Sequence, residues 1–376
     1  MTDNRMVINN RDVTFETGQT ILEVAIANGI DIPTLCHLKG TIPTGACRIC
    51  VVEVKGAKNL LPSCAEPARS GMVVETESFE VVEARRTILR LMLSSGNHNC
   101  EIKDFDTKNW TENQLRQLEQ DENQALCPAW GDCRLQEIAF KYQVKAKGIP
   151  LAECRFPMET ENPLIVRDFS RCILCGRCVQ ACREVQVNNA IDFGYRGSDA
   201  KIIAGTDVPL KDSECVFCGE CIQACPVGAL FEKKVGNKGR PWEMRQIRTT
   251  CPYCGVGCQQ ILHVKDGTIV KVTGAENAEP NQGRLCVKGR FGYDFIYSEE
   301  RIKTPLIREG ESFREASWDE ALNLVVERFT QIIETDGPDA LAGVSCARSI
   351  NEDSYQMQKL FRAVFKTNNI DHCART

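Results

Sequence analysis

A chain of 376 residues with 46 basic and 51 acidic side chains has a formal net charge of −5, which favours neither nucleic acid nor an anionic membrane surface as a partner. Its length predicts two to four domains. The sequence contains 22 cysteines and only 4 histidines, without a secretory leader or a run of about 18 apolar residues. We therefore expect a cytoplasmic protein with no transmembrane segment, in which cysteine binds metal rather than forming the disulfides of a secreted scaffold.

The first cysteine set follows a pattern of strand, turn, strand and helix. Residues 5–16 predict two short strands with a turn at Asn9–Arg11, and residues 19–29 predict a helix that ends at Gly29. Four cysteines follow at spacings of 10, 2 and 13 residues, namely Cys36, Cys47, Cys50 and Cys64. Zinc is one alternative for such a set, because C-x2-C also occurs in zinc knuckles. The whole segment resembles β-grasp ferredoxins, with the wider cysteine spacing of respiratory NADH dehydrogenases and iron-only hydrogenases, and this resemblance implies a [2Fe–2S] cluster.

A second candidate set comes after a predicted helix over residues 79–95. It consists of one histidine and three cysteines, namely His98, Cys100, Cys127 and Cys133. The segment resembles the domain of the same families in which three cysteines and one histidine hold a [4Fe–4S] cluster. This sequence departs from that pattern because 26 residues, 101–126, separate Cys100 from Cys127. We interpret this acidic insert as a surface helix. The alternative for His98 is an ordinary exposed loop residue.

Two further runs, residues 172–182 and 215–225, repeat the spacing C-x2-C-x2-C-x3-C. In two-cluster ferredoxins the first three cysteines of each run bind one cluster and the fourth binds the other. The spacing therefore predicts two [4Fe–4S] sites, one with Cys172, Cys175, Cys178 and Cys225, the other with Cys215, Cys218, Cys221 and Cys182. Pro226 follows the second run as in that pattern, whereas Arg183 follows the first.

The fifth set lies in the segment CPYCGVGC and in GRLCVKGRFGYDFI further along. Its members, at spacings of 2, 3 and 27 residues, are Cys251, Cys254, Cys258 and Cys286. The two segments resemble the entry to molybdopterin enzymes, and formate dehydrogenases most of all, where a [4Fe–4S] cluster lies against a pterin. The resemblance implies that Lys288 lies between cluster and pterin and helps to pass the electron. The alternative is a solvated lysine in a basic stretch with Arg290.

The last part of the chain predicts α/β packing. Residues 317–337 predict a helix with Ser317 as its N-cap and apolar residues at helical spacing. Residues 339–347 predict a buried strand, and residues 351–365 predict a second helix after which no strand returns. The sequence contains no G-x-G-x-x-G segment, so we expect no dinucleotide site on this chain.

The predicted fold is thus α+β and multidomain. Its parts are a β-grasp [2Fe–2S] ferredoxin domain, a His/Cys3 [4Fe–4S] domain, a two-[4Fe–4S] ferredoxin domain, a [4Fe–4S] lobe and the start of a molybdopterin-binding domain. The predicted boundaries are 1–78, 79–140 with the insert 101–126, 141–238, 245–302 and 303–376.

The combined segments resemble the catalytic α subunit of a soluble formate dehydrogenase. That resemblance implies interconversion of formate and CO2 at a molybdenum or tungsten ion held by two molybdopterin guanine dinucleotides. It also implies one [2Fe–2S] and four [4Fe–4S] clusters, and a flavin- and NAD(P)-binding subunit or a ferredoxin as partner. Three alternatives remain: the iron–sulfur subunit of an NADH dehydrogenase, an iron-only hydrogenase, or an electron-transfer protein without a catalytic centre of its own.

The segment TNNIDHCART at residues 367–376 is most similar to selenium-dependent formate dehydrogenases. In that family the Cys-Ala-Arg-x segment is followed by selenocysteine and then histidine. The resemblance predicts that the natural polypeptide continues past Thr376 with selenocysteine and most of the pterin-binding domain. It also predicts that residues 1–376 alone do not act on formate.

Overall fold

The computed structural model describes residues 4–95, 98, 129–144, 156–235 and 239–372. The chain divides into two compact units, Met1–Met244 and Arg245–Thr376. No helix within the described residues is both long and apolar enough to cross a membrane. The predicted surface helix at 101–126 lies outside the described residues, as do Cys100, Cys127 and residues 373–376.

The first unit contains short strands and helices. Its strands are β1 (Arg5–Ile8), β2 (Arg11–Thr14), β3 (Val51–Val54), β4 (Leu61–Pro62), β5 (Val73–Glu75), β6 (Ile165–Arg167), β7 (Ile191–Gly194), β8 (Lys201–Ala204) and β9 (Leu230–Glu232). Its helices are α1 (Ile21–Ala27), α2 (Phe79–Ser94), α3 (Arg134–Lys141), α4 (Arg177–Gln180), which continues as a π-helical turn over Ala181–Val185, and α5 (Glu220–Ala224).

The beginning of the first unit is a five-stranded sheet with the strand order β2-β1-β5-β3-β4. Strands β1 and β5 pair in parallel, and the other neighbours pair antiparallel. Met6, Val52 and Val74 of the sheet share one hydrophobic core with Leu22 and Val24 of α1. A mixed sheet that packs on one helix is the predicted β-grasp arrangement.

Local chemistry explains where these elements begin and end. Asn9 and Asn10 form the β1–β2 turn with φ values of 51° and 61°, a left-handed conformation that short polar side chains tolerate. Thr20 and Glu23 form a reciprocal capping box at the start of α1. The helix ends at Ala27, and Gly29 follows with φ 69°. The predicted strands, turn and helix are confirmed.

The two ferredoxin-like cysteine runs lie between β6 and β9, which pair antiparallel. Helices α4 and α5 each begin after a left-handed glycine, Gly176 with φ 77° and Gly219 with φ 74°. The two runs are separated by the β7–β8 hairpin, which the sequence analysis did not predict. At Gly176 an added Cβ would lie 3.1 Å from the Phe193 ring of that hairpin, so a side chain there would be crowded.

The second unit also consists of short elements. They are β10 (Arg245–Thr250), β11 (Gln259–Lys265), β12 (Thr268–Gly274), α6 (Val287–Phe291), β13 (Leu306–Glu309), β14 (Ser312–Glu315), α7 (Trp318–Asp336), β15 (Gly343–Ser345), α8 (Asn351–Lys359), continued by a π-helical turn over Leu360–Phe365, and β16 (Ile370–His372). Strands β10, β11 and β12 form one antiparallel sheet.

The end of the second unit confirms the predicted helices and corrects two other expectations. Ser317 caps α7 by accepting a hydrogen bond from the backbone of Glu320 at 3.2 Å. The expectation that no strand returns is wrong, because β16 pairs in parallel with β15. The expectation of a buried strand is wrong for Val344, which is 71% exposed. Strand β15 has one pairing partner among the described residues, and Val344 lies on its solvent side.

Candidate metal centres

The four cysteines of the first set lie together in buried loops around β3 and β4. The backbone N–H of Cys47 donates to the Cys36 sulfur at 3.4 Å. The Cys36 sulfur also accepts hydrogen bonds from the thiols of Cys47 and Cys64, which hold the pKa of Cys36 well below its usual value. The contacts with Cys36 and Cys50, together with burial, raise the pKa of Cys64. The four buried sulfurs are linked by contacts between Cys36 and Cys47, Cys36 and Cys64, and Cys50 and Cys64. Such a set could supply the four thiolates of a small two-iron cluster.

Two of the four predicted ligands of the second set, His98 and Cys133, lie within the described residues. His98 is 8% exposed, so the alternative of an exposed loop histidine is wrong. Its Nε2 is buried without a hydrogen-bond partner among the described residues. Burial, with a smaller contribution from Arg171, lowers the pKa of His98 to about 4. A neutral imidazole with an unpaired nitrogen fits a metal ligand, because only the neutral ring has a lone pair to donate. Cys133 is the residue that precedes α3.

The third and fourth sets repeat one local geometry. In each run, the backbone N–H two residues after the first cysteine donates to its sulfur at 3.4 Å, from Leu174 to Cys172 and from Phe217 to Cys215. Leu174 and Phe217 both take a left-handed conformation, with φ values of 53° and 54°. These turns point a donor at a sulfur, and such bonds contribute to the potential of a bound cluster.

The cysteines of these two runs are brought together across the runs. One apolar cavity is lined by Cys172, Cys175, Cys178, Cys221 and Cys225. Burial raises the pKa of Cys172 to about 11 and that of Cys175 to about 12, so these thiols stay protonated unless a metal compensates their charge.

In the second run, burial raises the pKa of Cys215. The charges of Cys218 and Cys182 raise it further. Cys225 thus lines the same cavity as the first run, as Cys221 also does, and Cys182 lies near Cys215. The assignment of each ligand to a cluster stays a prediction.

One hydrophobic core connects the first three sites. Its buried members include Cys36 and Cys47 of the first set, together with Leu89 of α2 and Leu135 of α3. The part-buried cysteines that pack against the same core are Cys133, Cys172, Cys175 and Cys225. Cys133 and Cys225 also line a common cavity, next to a backbone hydrogen bond of 2.8 Å from Arg134 to Pro226. Predicted ligands of three clusters therefore lie in one continuous apolar region.

In the part of the chain that the structure describes, no three His, Cys, Asp or Glu side chains surround a single point as one metal ion would require.

The fifth set lies at the start of the second unit. Strand β10 leads into Cys251, whose N–H donates to the carbonyl of Cys258 at 2.8 Å. Burial, followed by the charges of Cys286 and Cys254, raises the pKa of Cys251, which shows that these sulfurs are near one another. An added Cβ on Gly289 would lie 3.3 Å from the Cys251 sulfur, so the glycine allows α6 to approach it closely.

Lys288 lies on α6 two residues after Cys286, with its side chain exposed. Burial is the main cause of the raised pKa of Cys251. The nearby Lys288 ammonium acts in the opposite direction and lowers this pKa. Arg290, by contrast, is buried, so the alternative of a solvated basic stretch is wrong for that residue. A relay role for Lys288 stays a prediction.

Sequence reasoning missed Asn281, a buried residue that fixes both ends of the fifth set. Its side-chain oxygen accepts from the N–H of Gln259 at 2.7 Å. Its side-chain nitrogen donates to the carbonyls of Gln259 at 3.0 Å and Arg284 at 2.8 Å. Gln259 directly follows Cys258, and Arg284 precedes Cys286 by two residues. The sequence carries no local signal for this role, since Gln259 lies 22 residues before Asn281 along the chain.

We expect Asn281→Ala to loosen the fifth site without affecting the others. Loss of these part-buried hydrogen bonds to the backbone costs about 1 kcal/mol, so a chelator should remove about four irons at least several times faster than from the unsubstituted chain. Arg284→Ala, an exposed change in the same loop, is the matched control. Equal rates of iron loss in both variants would contradict a role for Asn281 at this site.

The comparisons with known proteins agree with the order of these sites. Four family profiles match the chain: a 2Fe-2S iron-sulfur cluster binding domain at 5–78, a 4Fe-4S dicluster domain at 171–229, a molybdopterin oxidoreductase Fe4S4 domain at 244–298 and molybdopterin oxidoreductase at 301–376. The matched domains are those of an iron–sulfur oxidoreductase.

Three curated relatives cover nearly the whole chain. The NADPH-Fe(3+) oxidoreductase subunit alpha of Geobacter sulfurreducens is 35% identical over 370 residues, which cover 98% of this chain and 40% of that protein. An NADH-quinone oxidoreductase subunit of Rhizobium meliloti is 33% identical, with 99% of this chain and 40% of that protein covered. A Staphylococcus aureus protein provisionally named a formate dehydrogenase is 31% identical, with 98% and 39% covered.

A solved structure is similar to part of the chain. A chain of an NAD+-reducing [NiFe]-hydrogenase in the H2-reduced state has a TM-score of 0.53 and 30% identity, covering 63% of this chain and 91% of that one. The chain carries a 2Fe-2S domain, a 4Fe-4S dicluster domain and the start of a molybdopterin oxidoreductase, as the matched family profiles describe them. It spans about 40% of the length of the curated relatives that it matches.

Proposed function

We propose that this chain is the iron–sulfur portion of the α subunit of a formate dehydrogenase. Its role is to conduct electrons between a molybdenum or tungsten bis-pterin centre, where formate and CO2 interconvert, and a flavin- and NAD(P)-binding subunit or a ferredoxin. Bound clusters supply one-electron redox chemistry. The observation that carries the proposal is the apolar core that holds predicted ligands of three clusters together, because it provides neighbouring sites from which water is excluded.

In this proposal the chain binds one [2Fe–2S] and four [4Fe–4S] clusters. The five predicted sets hold them, and Lys288 assists electron passage beside the fifth. The prediction of selenocysteine after Thr376 is tested separately by the codon that follows Thr376 in the gene. An in-frame UGA and then a histidine codon would support it, and UAA or UAG would contradict it.

A second candidate is an NAD(P)H-linked oxidoreductase that does not use formate. It is favoured by the names of two relatives at 35% and 33% identity, one an NADPH-Fe(3+) and the other an NADH-quinone oxidoreductase subunit. In that case a partner subunit would oxidise the nucleotide and reduce the clusters of this chain.

Anaerobic purification of the natural complex distinguishes the two candidates. We expect about eighteen irons for this chain, a pterin, and cluster EPR signals that appear when formate is added. Lys288→Ala should slow reduction by formate while leaving reduction by dithionite unchanged. Reduction by NADPH or NADH with no response to formate would establish the second candidate, and an iron content near ten with stoichiometric zinc would contradict the cluster assignments.

A further inference from the structure

Arg85 is a fully buried arginine in the middle of α2, with an exposure of 0%. A guanidinium group remains charged inside a protein, and its burial is unfavourable unless its donors are satisfied. In Arg85 all three nitrogens have partners. Nε and Nη2 donate to the backbone carbonyls of Ile49 and Val51, both at 2.9 Å. Nη1 donates to the Glu77 carboxylate at 2.9 Å and to the Tyr142 hydroxyl at 2.5 Å.

The first two bonds fix the carbonyls of the two residues that flank Cys50. Ile49 precedes this predicted ligand and Val51 follows it, so the planar fork of Arg85 spans the ligand's own backbone. Lysine could not reproduce this contact, because its single ammonium lacks the fixed two-point geometry. The Cys50 sulfur is itself buried, which leaves its position dependent on the backbone that carries it.

The hydrogen bonds of Nη1 connect Arg85 to Glu77 and to Tyr142 at the end of α3. Helix α3 begins directly after Cys133. Tyr142 follows α3, and its hydroxyl donates to Glu77 at 2.8 Å while accepting from Arg85. Burial raises the pKa of Tyr142, so the phenol stays neutral and keeps this donor. Arg85 therefore bonds both to the backbone around Cys50 and to Tyr142, which follows the helix that Cys133 precedes.

The charge balance around Arg85 is asymmetric. Its ion-pair partner, Glu77, is 43% exposed at the side chain and 2.9 Å away, so water screens the carboxylate while the guanidinium is shielded from solvent. A buried positive charge favours the more negative, reduced state of a nearby cluster, and net charge and hydrogen bonding are among the factors that set cluster potentials.

We propose that Arg85 is a positioning residue for a [2Fe–2S] cluster on the first cysteine set, and that its buried charge raises the reduction potential of that cluster. The inference rests on the proposed function in one respect, which is that the first set binds such a cluster. Arg85 acts through the backbone of Cys50 and through its electric field, without contacting the cluster itself.

Redox titration of the [2Fe–2S] EPR signal in the reconstituted full chain tests the proposal. Two of the variants are expected to shift the reduction potential in opposite directions. Arg85→Met removes the positive charge. At the midpoint potential of the unsubstituted chain's cluster, the ratio of reduced to oxidised cluster in this variant should be at least tenfold lower. Glu77→Gln keeps the hydrogen-bond acceptor but removes the compensating anion, so the same ratio should rise. Arg85→Lys should keep the ratio closer to that of the unsubstituted chain but lose iron faster to a chelator.

Glu83→Gln is the matched control, because it likewise removes one carboxylate charge, at a residue of α2 that pairs with Arg86 instead. It should leave the ratio unchanged. An unchanged ratio in Glu77→Gln would overturn the proposal even where Arg85→Met fails to fold. Absence of a [2Fe–2S] signal from the unsubstituted chain would instead refute the proposed function at the first site.

Discussion

Replacement of His98 by alanine is expected to remove one [4Fe–4S] cluster, about four irons per chain, and to leave the [2Fe–2S] signal intact. The physical reason is the buried Nε2, which has no hydrogen-bond partner within the described residues. Burial also keeps this imidazole neutral, with its pKa lowered to about 4. A buried nitrogen in that state would be unfavourable unless something coordinates it.

Iron analysis and EPR of the reconstituted chain provide the measurement. His98→Cys should restore the iron content, because a thiolate can replace imidazole as the fourth ligand. His263→Ala is the control, since His263 contacts Thr273 at 2.9 Å on the sheet of the second unit. An unchanged cluster signal in His98→Ala would make this residue a packing histidine and leave the fourth ligand of the second set unidentified.

Substitution of Cys225 should have an equally large effect, on the cluster of the other cysteine run. Cys225 lies in the cavity lined by Cys172, Cys175 and Cys178. The EPR spectrum of Cys225→Ala should therefore match that of Cys175→Ala and differ from that of Cys218→Ala. Each variant should lose about four irons.

The reciprocal substitution and a cysteine outside the sets complete the test. Cys182→Ala should match Cys218→Ala, because the charges of Cys182 and Cys218 both act on Cys215. Cys346→Ala should leave the iron content unchanged, since this cysteine lies outside the predicted ligand spacings. If Cys225→Ala matched Cys218→Ala instead, each run would bind its own cluster and the crossed assignment would be wrong.

Local sequence patterns predicted the elements that depend on local chemistry. The turn at Asn9 and Asn10 and the N-cap at Ser317 each involve residues within a few positions of one another. The cysteine spacings also depend on local chemistry, since a loop of fixed length limits where its sulfurs can lie, and the ligand sets stay a prediction.

What the sequence could not predict depends on partners far along the chain. A charged residue in an amphipathic helix normally indicates a solvent face, yet Arg85 is buried because carbonyls more than thirty residues away accept its hydrogen bonds. Strand β16 has three residues and gains its conformation from pairing with β15. Likewise, Val344 is exposed because no neighbour covers it among the described residues. The apolar character of valine alone does not indicate whether a neighbour covers the strand.

The apolar core shared by three cysteine sets also governs how the holoprotein can be assembled. Cys36 belongs to this core, and Cys133 and Cys172 pack against it. Under the proposed function, inserting iron and sulfide at one site therefore requires a region that the other two sites help to close. Cluster delivery must then precede or accompany the final collapse of this core. Oxidative loss of one cluster would likewise loosen the packing that shields its neighbours, so oxygen damage in the first unit should spread as a cooperative event rather than site by site.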